Sequence, residues 1–275
     1  MKKAARPGAT NGANATNLIK AYLRYLFRAR TEHGLHSPFV FDLYTRTIKP
    51  DNAGLPVFCH SQTLRNELLT SKKTIQVTDL GAGSRLGSNP ERRIADIVKN
   101  AEKPARFGRL LYRLIRRFGA KTVVELGTSL GLTTACLAAA THETGRVVSF
   151  EGCPETAAVA RQNLTHLAEK NVDIIIGNID DTLAPQMAAL GPVDLVFFDA
   201  NHRHEPTMRY FETCLPNAHN DTCFVFDDIH WSAEMERAWF AIQAHPAVTV
   251  TIDLFWVGLV FFRKEQPKEH FVLRF

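Results

Sequence analysis

A series of polar residues ends successive apolar runs in the second half of the chain, and their order could build a ligand site. The residues are Glu125, Glu151, Asn178, Asp199 and Asp227, separated by 26, 27, 21 and 28 positions. These intervals are close to the roughly 30 residues of a strand–helix–strand unit. Because ligands of open α/β sheets bind beyond the carboxyl ends of the strands, the series predicts one site at one edge of a sheet.

Residues 123–134, with the sequence VVELGTSLGLTT, contain the first member of this series and a glycine turn. Gly127 and Gly131 would let the backbone approach a bound molecule closely. A dinucleotide fingerprint has the form G-x-G-x-x-G, and Ser129 stands where its second glycine is required. The turn therefore fits NAD poorly and favours S-adenosylmethionine (SAM).

Three of the polar strand ends have a specific expected contact with SAM. Glu125 is expected to bind the amino end of the methionine moiety, directly or through water, and Glu151 to accept from both ribose hydroxyls, as acids do in other Rossmann sites. Asn178 is expected near the adenine edge. The full set of expected cofactor-binding residues is Glu125, Gly127, Thr128, Ser129, Gly131, Glu151, Gly152, Asn178 and Asp199.

A second glycine turn, VTDLGAGSR at 77–85, resembles the first but is not followed by a series of acidic strand ends. We therefore expect it not to bind the cofactor. One hypothesis places it in a cap that closes over the site, with Arg85 facing the acidic mouth. The alternative is a purely structural turn that leads into a helix starting at Pro90.

The elements that must position these residues alternate between strand-like and helical patterns from residue 119 onward. Such alternation predicts an α/β protein with a Rossmann-like, seven-stranded, mostly parallel sheet and an N-terminal, mainly helical cap. The expected domains are a disordered tail at 1–16, a basic cap subdomain at 17–118 with a short strand and turn at 75–85, and a SAM-binding domain at 119–275.

Charge divides the chain at the same place. Residues 1–118 contain 22 Lys and Arg against 8 Asp and Glu, whereas residues 119–275 contain 11 against 20. A basic half could attract nucleic acid, an anionic membrane or an acidic substrate. We favour a basic cap docked on an acidic catalytic domain, because the arginines are dispersed over several helices.

Composition argues against a disulfide-rich, zinc-knuckle, secreted or membrane-spanning protein. The five cysteines form no C-x-x-C pair, which argues against a disulfide framework or a zinc knuckle and favours a reducing, cytoplasmic location. The N-terminus has no apolar signal region. The longest apolar run, residues 254–262, has nine residues, whereas a membrane span needs about 20.

Positions 121–262 resemble a class I SAM-dependent methyltransferase. The form ELGTSLG at 125–131 is similar to that of the catechol-type O-methyltransferases, and FFDANHRHE at 197–205 resembles the D-x-x-H-x-Y-E stretch of a bacterial branch of that group. HGLHSPFVFDLY at 33–44 and DLGAGSR at 79–85 are similar to markers of a bacterial branch. The resemblance implies the fold and the cofactor but names no acceptor.

The catechol-type resemblance also implies a divalent cation such as Mg²⁺, held by Asp199, Asp227 and Asp228. Oxygen ligands of this kind suit a hard cation, which would lower the pKa of a bound hydroxyl. Asp228 stands where the family pattern has Asn, so the negative charge is larger than in the pattern. The alternative is that Asp227 or Asp228 caps the following helix.

His202 and Asp199 are the candidate catalytic residues. His202 stands three positions after Asp199, where the catechol-type enzymes carry a catalytic lysine, and an imidazole can accept a proton at neutral pH. The alternative is a surface histidine in a loop that also holds His204. His230, close to Asp228 in the sequence, is a weaker candidate for the same pocket.

These observations together predict a SAM-dependent methyltransferase that acts on a small-molecule acceptor, most simply a hydroxyl group. An RNA methyltransferase that uses the basic half, and a SAM-binding protein without catalysis, are the alternatives. No membrane partner is expected, nucleic acid is not favoured, and a homodimer stays open.

Overall fold

The computed structural model describes residues 10–50, 56–78, 90–101, 104–141 and 144–275. Its helices are α1 (Thr10–Arg28), α2 (Pro38–Leu43), α3 (Pro56–Thr70), α4 (Ile94–Ala101), α5 (Ala105–Phe118), α6 (Leu132–Ala140), α7 (Pro154–His166), α8 (Ile179–Leu190), α9 (His204–Cys214) and α10 (Ala233–Ala244). Its strands are β1 (Thr74–Gln76), β2 (Glu91–Arg93), β3 (Thr122–Leu126), β4 (Arg146–Glu151), β5 (Val172–Ile176), β6 (Val193–Phe198), β7 (Ala218–Asp227), β8 (Val250–Asp253), β9 (Val257–Phe261) and β10 (Glu269–Val272).

The central sheet has the strand order β10-β8-β9-β7-β6-β3-β4-β5. Strands β3 to β7 run parallel, and β9 pairs antiparallel with both β7 and β8. This confirms the predicted Rossmann-like α/β fold. The chain adds β4 and β5 on one side of β3 and then crosses to place β6 on its other side. The switch point of the topology therefore lies between β3 and β6, where such folds bind ligands.

Helices cover both faces of the sheet, which is why its strands are almost continuously apolar. Alternate residues of one strand enter different cores, since successive side chains of a strand point to opposite faces. Val123 packs in a core with residues of α5 and α6, whereas its neighbour Val124 packs in a core with residues of α8, α9 and α10. Both valines are fully buried.

The prediction of seven strands is wrong, because the described part of the sheet has eight. The added strand is β10, which pairs parallel with β8 at the sheet edge. Its sequence, EHFV, is half polar, and its residues are exposed or only partly buried. An edge strand with one solvated face lacks the apolar run by which the inner strands are recognised.

The N-terminal half differs in two details from the expected arrangement. Helix α1 begins at Thr10, inside the segment expected to be a disordered tail. Helix α5 shares a core with the sheet strands through Leu110, Leu111 and Leu114, so the packing around the sheet starts before residue 119. Strands β1 and β2 form a separate antiparallel pair.

None of the helices in the described ranges combines the length and the apolar character that crossing a bilayer requires. Cys136, Cys153, Cys214 and Cys223 are buried, and none of them forms a disulfide within the described residues.

Candidate active site

The glycine turn after β3 is held between the two neighbouring strands. The backbone N–H groups of Gly127 and Thr128 both donate to the Phe150 carbonyl in β4, at 3.0 Å. On the other side, the Asp199 N–H donates to the Leu126 carbonyl at 2.9 Å. The turn is therefore fixed at the carboxyl ends of β4 and β6.

Gly127 is required by close backbone approach at this point. Its φ is +107°, and a Cβ atom built there would lie 2.4 Å from the Asp199 carbonyl oxygen. Gly131 has a φ of +81° and begins α6, where a Cβ atom would meet Ala160 at 3.3 Å. Both glycines predicted to shape the turn thus lie where L side chains are disfavoured.

Glu151 joins the end of β4 to the turn. Its carboxylate accepts from the Ser129 N–H at 2.9 Å through Oε2 and from the Cys153 N–H at 2.9 Å through Oε1. Burial raises the pKa of the Glu151 carboxyl above its usual value of 4.5, and hydrogen bonds from backbone N–H groups, including that of Gly152, partly offset this. A carboxylate has about four lone-pair sites, so both oxygens keep capacity for further donors.

Glu125 lies beneath the turn and is fully buried. Its Oε2 atom accepts from the hydroxyls of Thr134 and Ser149, each at 2.6 Å, and Thr128 in turn contacts the Ser149 hydroxyl. The carboxylate is thereby tied to α6 and β4. Its contact with an amino group of a ligand stays a prediction.

Asp199, His202 and Asp227 converge beside the turn, at the ends of β6 and β7. One ligand atom from each lies within 4.8 Å of the others. The His202 Nε2 atom lies 3.6 Å from Oδ1 of Asp199. Asn201, between them in the chain, has a φ of +49°, and this left-handed residue bends the loop. The predicted catalytic residues, Asp199 and His202, therefore lie next to Asp227, which was predicted together with Asp199 to hold a metal.

Asp228 lies outside that cluster. Its φ is +53°, and its backbone N–H donates to the Trp256 carbonyl at 2.7 Å. The structure also excludes the alternative that Asp227 or Asp228 caps the next helix, because the Ser232 side chain caps α10 by accepting from the Met235 N–H.

Asn178 is the N-cap of α8, and its side-chain oxygen accepts from the Asp180 N–H at 3.1 Å. Its amide therefore has a structural contact at the carboxyl end of β5, next to the neighbouring strand that carries Glu151. A contact with adenine stays a prediction.

His230, the weaker candidate for the same pocket, belongs to a hydrogen-bonded network whose other members the sequence analysis did not predict. His230 lies between two carboxylates, with Nδ1 at 3.1 Å from Glu236 and Nε2 at 2.8 Å from Asp253. Burial opposes its protonation, but the two carboxylates outweigh this effect and raise the pKa of His230. The ring also stacks on Phe255. Asp253 is 23 residues away in the chain, so sequence spacing offers no signal for this network.

Residues 79–89, which include most of the second glycine turn at 77–85 and the predicted Arg85, lie outside the described residues. The residues that flank it meet, because the Val77 N–H donates to the Pro90 carbonyl at 2.7 Å. Thr78 donates to the Cys153 Sγ atom at 3.4 Å, two residues beyond Glu151. The described ends of the segment therefore lie at the carboxyl edge of the sheet, where the hypothesis of a cap requires them.

Comparison with known proteins gives consistent relatives. Residues 124–229 match the sequence model of the family described as "Methyltransferase domain". The chain is 36% identical over 126 residues to a catechol O-methyltransferase of Mycobacterium tuberculosis and 34% identical over 125 residues to one of Niastella koreensis. These alignments cover 46% and 44% of this chain and 56% and 55% of the relatives. The chain thus spans little more than half the length of these two relatives.

Solved structures show the same fold. The cofactor-bound structure of Rv0187 from MTB has a TM-score of 0.56 and 23% identity, and the alignment covers 84% of this chain and 100% of that one. An O-methyltransferase from Bacillus cereus in complex with SAH has a TM-score of 0.55 and 19% identity, with 81% and 97% coverage.

Proposed function

We propose that residues 124–229, which match the methyltransferase model, form a methyltransferase domain and that the chain transfers a methyl group from SAM to a hydroxyl group of a small-molecule acceptor. The observation that carries the proposal is the convergence of Asp199, His202 and Asp227 beside the Gly127 turn. A cofactor cradle and a set of groups that can accept a proton or hold a cation thus share one edge of the sheet. The named relatives support the same chemistry, since two of them are catechol O-methyltransferases.

The residues around the turn fit SAM. Gly127 and Gly131 allow the turn to pack tightly against Asp199 and Ala160, and Glu151 keeps acceptor capacity for the ribose hydroxyls. Thr128, Ser129 and Gly152 complete the cradle through their backbone positions. When bound, SAM supplies an electrophilic methyl group that an acceptor oxygen can take in a single displacement.

The cluster also fits a divalent cation. Two carboxylates with an imidazole offer three donors within 4.8 Å, and Mg²⁺ favours carboxylate oxygen. We assign Asp199 and Asp227 to the cation, with His202 as the third donor that already converges. Asp228, which the sequence analysis placed third, would have to reach the cation from outside this cluster. A bound cation would lower the pKa of an acceptor hydroxyl.

In the absence of a cation, the same groups can remove the proton themselves. His202 would accept the hydroxyl proton at Nε2, and the Asp199 carboxylate at 3.6 Å would stabilise the resulting imidazolium. The Gly127 turn and the loop after β6 would align the acceptor with the cofactor and exclude water, which is the main contribution a protein makes to such a displacement. His202 cannot serve as base and as ligand through the same nitrogen.

One experiment tests the proposal and separates the two roles of His202. The rate of methyl transfer to catechol and related small phenols would be measured against pH, with Mg²⁺ and with EDTA. A base at His202 predicts activity that persists in EDTA and is lost in His202→Asn. A ligand role predicts that EDTA abolishes transfer and that Mg²⁺ restores it. Absence of transfer in all conditions, with SAM bound, would favour a non-catalytic protein.

The setting of the reaction is part of the same proposal. The described cysteines are buried and form no disulfide with one another, which fits a reducing compartment, so we infer that the protein acts in the cytoplasm.

A further inference from the structure

Helix α1 exposes a stripe of large apolar side chains. In the described part of the chain, eight large apolar residues are exposed, and five of them belong to this helix. They are Ile19 at 61% exposure, Tyr22 at 43%, Leu23 at 49%, Leu26 at 38% and Phe27 at 90%. Scattered apolar residues on a surface need no explanation, but a contiguous group indicates an interaction surface.

The stripe occupies one sector of the helix. At 100° per residue, its five members fall within one continuous arc of about 140°. Among residues 18–28, the next arc carries three cations, Lys20, Arg24 and Arg28. The remaining arc is the buried one, where Ala21 and Tyr25 pack against Phe255. The helix therefore has a packed face, an exposed apolar face and a basic face.

The charged residues before and within α1 are all cationic. The first acidic residue of the chain is Glu32, which follows α1. The cations that precede it are Lys2, Lys3, Arg6, Lys20, Arg24, Arg28 and, just after the helix, Arg30. Clusters of four to eight Lys and Arg on an amphipathic helix are typical of segments that bind anionic lipid.

We propose that α1 docks this protein on the surface of an anionic lipid bilayer. The apolar stripe enters the boundary between head groups and acyl chains, and the basic face binds the anionic head groups. The helix lies in the plane of the interface, which differs from spanning the bilayer. The inference does not depend on the proposed function.

A second copy of the chain fits this surface less well. A stable interface of standard size buries about 20–30 residues on each side, and the stripe has five. Pairing two stripes would also bring two basic faces together without an acidic partner on α1. An anionic lipid surface complements both features of the helix. The sequence expectation of no membrane partner was based on the absence of a span, and surface docking needs none.

Hydrogen bonds from helix α1 and from the residues directly after it hold the helix against the rest of the protein. The Tyr25 hydroxyl donates to the Leu273 carbonyl at 2.6 Å, and the Arg30 N–H donates to the Val272 carbonyl at 2.9 Å. Phe255, which packs on the inner face of α1, also contacts Trp256, whose side chain is 47% exposed. Exposed tryptophans favour the membrane interface. Docking of α1 would therefore place the whole domain at the membrane.

Vesicle co-sedimentation of the full-length protein tests the proposal. We expect binding to phosphatidylcholine vesicles that contain phosphatidylglycerol, little binding to phosphatidylcholine alone, and release by high salt. Phe27→Glu should weaken binding at least tenfold, because a large apolar side chain is replaced by a charge. Lys20→Gln and Arg28→Gln should each weaken it about fivefold. Phe41→Glu, an exposed phenylalanine outside α1, is the matched control and should bind as the wild type does.

Circular dichroism and a thermal melt would verify that each variant folds. Three results would overturn the proposal: no binding to anionic vesicles, equal binding to neutral and anionic vesicles, or equal loss in Phe27→Glu and Phe41→Glu. A concentration-dependent dimer that Phe27→Glu dissociates, without vesicle binding, would instead assign the stripe to a second copy of the chain.

Discussion

Substitution of a single hydrogen by a methyl group at Gly127 probes the geometry of the candidate site. In Gly127→Ala, the new Cβ atom would lie 2.4 Å from the Asp199 carbonyl oxygen, whereas ordinary contacts are 3.4–4 Å. The end of β3 and the end of β6 would have to separate by about 1 Å. Asp199 would move with its backbone, and so would the cluster that contains His202.

The expected loss of stability has two parts. An alanine in the left-handed region costs about 1–2 kcal/mol, and forcing an extra carbon into a filled space costs about 1–3 kcal/mol more. We therefore expect Gly127→Ala to lose about 2–5 kcal/mol. Gly119→Ala is the matched control, because Gly119 has a φ of +59° and a Cβ atom added there would meet no described atom within 4 Å. Gly119→Ala should therefore lose only the backbone contribution of about 1–2 kcal/mol.

Urea denaturation followed by circular dichroism would measure the two stabilities, and calorimetric titration would measure the affinity for SAM. We expect Gly119→Ala to bind SAM as the wild type does. Gly127→Ala should bind at least tenfold more weakly and transfer methyl groups about 100-fold more slowly, since misplacement by about 1 Å can cause such a loss. If the two variants were equally stable and bound SAM equally well, the reasoning about the turn would be refuted.

The remaining predictions concern the polar residues. Glu151→Gln should weaken SAM binding by about 1–3 kcal/mol; calorimetry at several pH values checks this, and an unchanged Kd would contradict it. Because burial raises the pKa of Glu151, protonation removes the acceptor at a pH above 4.5, so wild-type affinity should fall as pH is lowered through that pKa, while Glu151→Gln should show no such fall. Because the pKa of Glu151 is higher in the folded state than in the unfolded state, its contribution to the free energy of unfolding is fully present below the unfolded pKa. That contribution is lost as pH rises through the folded pKa. His202→Asn should reduce kcat by about 100-fold or more with an unchanged Kd for SAM, and Asp227→Asn should weaken Mg²⁺ binding in a titration monitored by calorimetry; normal kcat or normal Mg²⁺ affinity would reject the respective role.

The sheet and the position of the site could be predicted from the sequence because both depend on local patterns. Apolar runs with a polar residue at the end predict strands, and parallel strands place their ends at one edge, so Glu151, Asp199 and Asp227 follow from the spacing alone. Gly127 was recognisable because few other reasons place a glycine directly after a buried strand.

Other features depend on contacts that distant segments make. The backbone of Asp228 is left-handed and bonds Trp256, so adjacency to Asp227 does not place it in the cluster. The side chain of Asn178 caps α8, and this cap has the same sequence signal as the contact with adenine, which stays a prediction. Strand β10 was missed because its edge position leaves it half polar.

The apolar face of α1 shows a further limit of sequence patterns. Apolar residues recur at a helical period over residues 17–30, but a sequence does not tell which of them become buried. The structure buries Ala21 and Tyr25 and leaves Phe27 exposed. The packing partner, Phe255, decides this, and it lies more than 200 residues away in the chain.

The most direct test of the central claim is to trace a deuterium-labelled methyl group from SAM into a panel of small phenols by mass spectrometry. The account predicts label on a hydroxyl oxygen of at least one phenol, with equimolar S-adenosylhomocysteine, and loss of both products in Gly127→Ala but not in Gly119→Ala. Retention of SAM by the wild-type protein with no label in any acceptor would contradict it.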